Sequence, residues 1–376
     1  MTDLSVDFPT APTTGYGLAD VLPSVVGSLG VSDFDNTLAL APCDRAVVLV
    51  IDGLGAEQLR EHSHHAPFLA SMAQVVPQLT AAFPTTTPTG LTTIGTGLSS
   101  GEHGVVGAAF RIDHGGPLLR PLHWGSEPSP HEVQANATAW EQAAWAGLHV
   151  AAVSPRQYHD SGLSVAALRG AKAVGGDSPG EVATAVGVEL RRATRALVYA
   201  YHATLDRTGH IHGPGSPAWL ADLEHVDLLV RATAAALPSG AAMYVTADHG
   251  MVTIDAAGRI DLAVESTLAI DVELVAGEPR MRALYVRRGS IDDVIRRWRD
   301  RLDAAAWVVS VDEAVAAGWF GAVDADVRPR LGDVLAIAKP GYALVADFDR
   351  RTGNLVGQHG SLSTAELSVP LLAVQA

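Results

Sequence analysis

Arg45-Ala46-Val47-Val48-Leu49-Val50-Ile51-Asp52-Gly53-Leu54-Gly55 is the stretch on which the fold turns. A continuous apolar, largely β-branched run closed by a Gly-rich turn is the pattern of a central parallel strand buried on both faces. Similar runs recur downstream at Leu148–Ser154, Ala196–His202 and Ala241–Ala247, with a last strand at Val369–Val374. Between them lie segments of helical length at Trp140–Ala146, Glu181–Thr194 and Pro217–Leu237. Strands alternating with helices predict an α/β fold, a doubly wound and mostly parallel sheet with helices on both faces. Residues 255–350 change texture, with strands expected at Met281–Arg287, Trp307–Val311 and Asp333–Ala338 and a basic amphipathic helix at Ile291–Leu302. We read them as a smaller α+β insert on the substrate side of a single catalytic domain spanning 1–376. Residues 1–43 are rich in Pro, Ser and Gly and are expected to wrap the surface, with one short helix at Leu22–Leu29.

Composition narrows the function. With 41 acidic against 26 basic residues and no Lys/Arg cluster, the chain lacks the basic face that a nucleic-acid binder needs. No apolar run reaches the roughly 18 residues of a membrane span. The first thirty residues show no basic region leading into an apolar stretch, so no signal peptide is expected and a cytoplasmic location follows. A single cysteine, Cys43, excludes internal disulfides and a Cys-based metal site, so any metal must be held by His, Asp and Glu.

Several residues of those types fall where ligands bind. Asp52 closes the first strand at its carboxyl end, where open α/β sheets place their sites, although a cap on the following helix (Ala56–Arg60) is an equal reading. In Phe83-Pro84-Thr85-Thr86-Thr87-Pro88-Thr89-Gly90, a Thr before Pro predicts that Thr87 is the N-cap of a helix, with Pro88 at its first position. A helix N-terminus favours an anion, either a phosphoryl group or the alkoxide of Thr87 itself; alone, the stretch also reads as a Thr-rich turn. Asp206 and His210 lie four apart in Asp206-Arg207-Thr208-Gly209-His210-Ile211-His212-Gly213, read as a loop off a strand end. Asp248 and His249 are adjacent at the end of another strand, and His359 sits in the Gly-flanked turn Gly357-Gln358-His359-Gly360. His62, His64 and His65 are read as solvated, and His103 as a turn residue bonded to backbone.

The order Asp52, Thr87, Asp206 with His210, Asp248 with His249, then His359 resembles the alkaline phosphatase superfamily. Within it, the IDGLG turn, PTTTPTG, DRTGHIHGPGS, TADHGM and GQHG are similar to the type I phosphodiesterase/nucleotide pyrophosphatase family. The resemblance implies an alkaline-phosphatase-like fold and two divalent metal ions, zinc or manganese. Asp52, Asp248, His249 and the Thr87 oxygen would hold one ion, and Asp206, His210 and His359 the other. It implies a phosphohydrolase cleaving phosphodiester or pyrophosphate bonds in a small phosphorylated substrate through a phospho-threonine at Thr87. Two such ions about 4 Å apart can clamp the attacking and departing oxygens, and a metal can activate a threonine hydroxyl that is otherwise a weak nucleophile.

Two positions depart from the nucleotide-cleaving members. Pro88 stands where a base-stacking Phe follows the nucleophile, and Ala108 where an Asn binds a phosphate oxygen. Tyr158 and Trp124 are candidate aromatic replacements; Asn136 and the Thr89 N–H are candidate donors. Arg111, Arg156 and Arg207 are candidates for gripping terminal phosphate oxygens. A phosphomonoesterase or phosphonate hydrolase is the nearest alternative, then a phosphomutase, and last a metal-binding module without chemistry.

Overall fold

The computed structural model describes residues 15–113 and 115–376. Its central sheet has seven strands: β1 (Arg45–Ile51), β2 (Ala73–Gln74), β3 (His149–Ser154), β4 (Lys172–Gly175), β5 (Ala196–His202), β6 (Ala241–Thr246) and β7 (Leu371–Gln375). They lie in the order β2-β7-β6-β1-β5-β3-β4. β6, β1, β5, β3 and β4 run parallel, whereas β7 is antiparallel to β6 and β2 to β7. Every residue of β1 from Ala46 to Ile51 is fully buried, as a strand covered on both faces must be.

The helices fall into two groups. α1 (Val21–Ser28), α2 (Thr87–Thr96), α3 (Ala139–Trp145) and α4 (Gly162–Leu168) pack among themselves, and α5 (Pro179–Leu190), α6 (Thr204–His212) and α7 (Pro217–Ala235) form the other group. A second, antiparallel sheet takes its strands in the order Val272–Glu278, Met281–Val286, Val334–Ala338 and Ala306–Ser310. Alternation divides its side chains. Met281, Ala283, Tyr285 and Ile337 pack with Phe83, Val105 and Phe110, while Leu284, Val286, Val334 and Ala336 meet α8 (Ile291–Leu302) through Val294, Trp298 and Leu302. Arg280, on the turn between its first two strands, is fully buried and pairs with the equally buried Glu366 at 2.7 Å.

Several elements differ from expectation. Residues 204–212 form helix α6 rather than a loop: Thr208 and Gly209 are weak helix formers, but Leu205 is fully buried and α6 packs on α7. The helix expected to start after Thr87 starts at it, with Thr86 as the N-cap residue. Strands Lys172–Gly175 and Val272–Glu278 escaped the sequence reading; the first is a short sheet edge with Lys172 and Ala173 exposed, so it carries no apolar signature. α1 does not lie on the surface, since Val21, Leu22, Val25 and Val26 are fully buried. The expectation of no signal peptide, and part of the surface course expected for residues 1–43, falls on residues 1–14, outside the described residues. No helix among the described residues is long and apolar enough to cross a membrane.

Candidate active site

Three adjacent parallel strands deliver the carboxylates. In register, Ile51 of β1 faces His202 of β5 and Val50 faces Thr246 of β6. Asp52, Asp206 and Asp248 therefore emerge together at one sheet edge. Asp52 does not cap a helix; Gly55 holds that position before Ala56–Glu61. Two glycines allow the close approach. A Cβ on Gly90 of α2 would come within 2.7 Å of the Asp248 side chain and carbonyl, and one on Gly53 within 3.0 Å of Asp206, at a φ of +73°.

The threonines sort themselves by partner. Thr85 Oγ1 donates to Ser361 O at 2.8 Å and accepts from Gly360 N–H at 3.0 Å. Thr89, Thr92 and Thr96 donate to backbone carbonyls at 2.7–3.1 Å. Thr93 meets His103 at 2.9 Å, and Thr86 bonds the Glu278 side chain. Thr87 alone turns its hydroxyl to the cluster, 3.2 Å from His249 Nε2.

The imidazoles share one arrangement. Nδ1 of His210, His249 and His359 lies 2.8, 3.0 and 2.8 Å from the carbonyls of Gly357, Gly250 and Thr85. A carbonyl only accepts, so each ring carries its proton on Nδ1 and presents a bare Nε2, the tautomer of a metal ligand held by an outer partner. His249 Nε2 is 3.6 Å from both Asp52 Oδ1 and Asp248 Oδ2. His210 Nε2 is 3.4 Å from Asp206 Oδ2, and His359 Nε2 3.8 Å from Asp206 Oδ1. The Nε2 atoms of His210 and His359 face each other at 3.1 Å.

Two observations test whether a cation fits. Asp52 Oδ1, Asp206 Oδ1 and Asp248 Oδ2 are buried without a hydrogen-bond partner, and a buried carboxylate oxygen left bare costs free energy. Two bare imidazole nitrogens at 3.1 Å have no proton to share, so an acceptor of both lone pairs is called for. Asp206, His210 and His359 form one group able to hold an ion, and Asp52, Asp206 and His249 another, each with ligand atoms within 4.8 Å of one another. Electrostatics agrees. Burial, then Asp248 and Asp206, pushes Asp52 well above the usual carboxylate range, and burial likewise raises Asp248. Burial beside His249 and His210 pushes His359 well below the usual histidine range. Bound cations invert this logic by favouring ionised carboxylates.

A cleft of about 570 Å³ opens from Asp52, Thr87 and Asp206. Leu91, Leu163, Leu168, Tyr158 and Tyr201 give it apolar walls, and Ser154, Gln157 and Ser178 supply polar groups. No residue of 255–350 lines it. That segment reaches the site from behind, where Glu278 Oε2 lies 3.7 Å from His359 Nδ1.

The structure thus gathers all seven residues singled out from sequence: Asp52, Thr87, Asp206, His210, Asp248, His249 and His359. Other candidates lie elsewhere. Trp124 is buried in the core and donates to Pro128 O, and Asn136 donates to Glu102 O beside the far end of α2. Arg111 pairs with Glu273 over the Tyr285 ring, and Arg156 with Asp177. His103 is buried, accepts Val105 N–H on Nδ1 at 3.1 Å, and is pushed by burial to about 3. His65 has an acidic partner that sequence did not suggest, Glu224 at 2.7 Å. Sequence reasoning missed Tyr201, whose hydroxyl donates to Asp52 Oδ2. Its one signal was the shared alternation with Tyr199 along β5.

This chain belongs to the type I phosphodiesterase/nucleotide pyrophosphatase family, whose profile matches residues 46–362, within the alkaline phosphatase superfamily. It is accordingly a hydrolase of the phosphodiesterase and pyrophosphatase type. Among solved structures it is similar to murine ectonucleotide pyrophosphatase/phosphodiesterase 5, with a TM-score of 0.70 and 19% identity over 88% of each chain. An inactive variant of that murine protein in complex with AMP aligns with a TM-score of 0.68 and 19% identity, over 88% of this chain and 87% of that one. Phosphonoacetate hydrolase from Sinorhizobium meliloti, in complex with phosphonoformate, aligns with a TM-score of 0.69 and 18% identity, over 88% and 90%. At these identities the neighbours attest the fold. No curated protein matches the chain.

Proposed function

We propose that the protein is a two-zinc phosphohydrolase of the cytoplasm that cleaves phosphodiester or pyrophosphate bonds through a phospho-threonine at Thr87. The observation that carries this reading is that Thr87, alone among its neighbouring threonines, aims its hydroxyl at the carboxylate–imidazole cluster. Asp52, Asp248, His249 and the Thr87 oxygen would hold one ion, and Asp206, His210 and His359 the other. When bound, the ions would lower the pKa of the Thr87 hydroxyl and neutralise charge on the phosphoryl group.

The chain's own residues supply the rest. Thr87 is the first residue of α2, so N–H groups of that first turn have no intrahelical acceptor and would be available to a phosphoryl group bound there. The Thr89 N–H is among them, a donor in place of the side chain missing at Ala108. Thr85 clamps His359 through its carbonyl and Gly360 through its hydroxyl, fixing the ring relative to the nucleophile two residues on. The Leu and Tyr walls of the cleft exclude water from one side of the substrate, and Tyr158 offers a ring where Pro88 cannot. The same ligand set would serve a phosphomonoesterase or phosphonate hydrolase, and one structural neighbour is a phosphonoacetate hydrolase. Thr87→Ala should abolish turnover of bis-p-nitrophenyl phosphate and p-nitrophenyl phosphate while zinc content stays nearly intact. Substantial activity in that variant would refute Thr87 as nucleophile; faster monoester than diester cleavage by the unaltered enzyme would move it to the alternative.

A further inference from the structure

Thr86 has the place of a helix cap without the bond of one. A Ser or Thr before a helix ordinarily accepts an N–H two or three residues on, as Thr138, Ser178 and Ser216 do before α3, α5 and α7. Before α2 the backbone of Thr86 is extended, as a cap requires, yet its side chain takes no N–H. Pro88 has no N–H to offer, so the one within the reach of a cap is that of Thr89. It meets no acceptor among the described residues.

Glu278 accounts for the missing bond. It ends the strand Val272–Glu278, and the Thr86 hydroxyl bonds its buried carboxyl instead of turning back to the helix. The carboxyl is wedged in place by Gly360, where a Cβ would come within 2.9 Å of its Cδ. Its Oε1 is buried without a partner, and Oε2 lies 3.7 Å from His359 Nδ1, whose proton goes to Thr85 O. For stability alone an apolar side chain would serve this position better, because a buried carboxyl oxygen left bare costs free energy. The bond that Glu278 does make decides which way the Thr86 hydroxyl turns.

We propose that Glu278 is a positioning residue: by holding the Thr86 hydroxyl away from α2, it keeps the Thr89 N–H open to a phosphoryl oxygen bound beside Thr87. This rests on the reading above, in which that phosphoryl group binds at the start of α2. Glu278→Leu, Thr86→Ala, the two combined, and Thr86→Asn test it, each saturated with zinc and checked for zinc content. Kd for inorganic phosphate is measured by calorimetry, and kcat for bis-p-nitrophenyl phosphate beside it. In Glu278→Leu the released hydroxyl should take the Thr89 N–H, and a cap bond that phosphate must first break weakens its binding by about fivefold or more. Thr86→Ala has no hydroxyl to close the turn, so it should bind phosphate as the unaltered protein does, and adding it to Glu278→Leu should restore binding. kcat should follow the same order. A carboxyl that merely held the fold together would not be rescued by removing a second side chain. A loss in Glu278→Leu under about fivefold, or one that Thr86→Ala does not reverse, overturns the proposal. Should Glu278→Leu not fold, Thr86→Asn decides, because its amide can donate to Glu278 and accept the Thr89 N–H at once. Phosphate should then bind it about fivefold or more weakly than Thr86→Ala, and a smaller difference overturns the proposal. If the unaltered enzyme cleaves neither bis-p-nitrophenyl phosphate nor p-nitrophenyl phosphate, the functional reading fails, while the phosphate Kd values still decide the role of Glu278. Absence of phosphate binding by the unaltered protein overturns both.

Discussion

Replacing Tyr201 by Phe removes one hydroxyl and leaves the ring, its T-shaped contact with Tyr158 and its stacking on Tyr199 in place. That hydroxyl donates to Asp52 Oδ2, which leaves Oδ1 bare and 3.6 Å from His249 Nε2. Burial beside Asp52 and Asp248 pushes the Tyr201 phenol well above its ordinary range, so it remains a donor at any working pH. A hydrogen bond to a charged partner contributes about 1.5–3 kcal/mol, and losing an outer partner of a metal ligand lowers metal affinity by about 10- to 100-fold. At about 1.4 kcal/mol per tenfold the two figures coincide. We therefore expect Tyr201→Phe to bind zinc some ten- to a hundredfold more weakly, measured by competition with a chromophoric chelator, and to recover most of its turnover at saturating zinc. Tyr199→Phe is the matched control. The Tyr199 hydroxyl is equally buried but has no hydrogen-bond partner, so its removal should leave zinc affinity unchanged. Zinc affinity in Tyr201→Phe within about threefold of the unaltered protein would refute the reasoning, because the hydroxyl would then not be orienting Asp52 for a metal.

Two other outcomes follow from the same geometry. His359→Ala, like His210→Ala, should lower tightly bound zinc toward one ion per chain by elemental analysis; two tightly held ions would contradict the division of ligands. His103, held neutral by burial with a pKa near 3 against 6.5 when exposed, takes up its proton at higher pH in the unfolded chain than in the folded one. Its contribution to stability is therefore complete above pH 6.5 and is lost as pH falls toward 3. Across that window the unaltered protein should lose about 1.4 kcal/mol per pH unit more than His103→Gln in urea unfolding, and parallel curves would exclude this origin.

What was legible in the sequence followed from backbone periodicity. Asp52, Asp206 and Asp248 each come shortly after a buried apolar run, and parallel strands in register must bring such residues to one edge, whatever the chain does between them. What was illegible depends on contacts made across the fold. The Pro that follows marks Thr87 as a helix start, but it does not show that the Ser361 and Val105 carbonyls occupy the Thr85 and Thr89 hydroxyls and leave Thr87 to face the cluster. Tyr201 looked like one more core residue of β5, since an apolar strand gives no hint that its last tyrosine meets Asp52. The segment from Asp206 to His210 shows how one such difference changes the chemistry. In an extended chain Asp206 and Arg207 would point to opposite sides, and at most one could border a given cleft. In a helix successive side chains are only about 100° apart and residues four apart share a face. Helix α6 can therefore carry Asp206 and His210 to the same cation while its next residue, Arg207, borders the same cleft. Reading those residues as a loop found the ligands and left Arg207 as one of three candidate arginines; it is the helix that sets Arg207, and neither Arg111 nor Arg156, on the wall of the cleft.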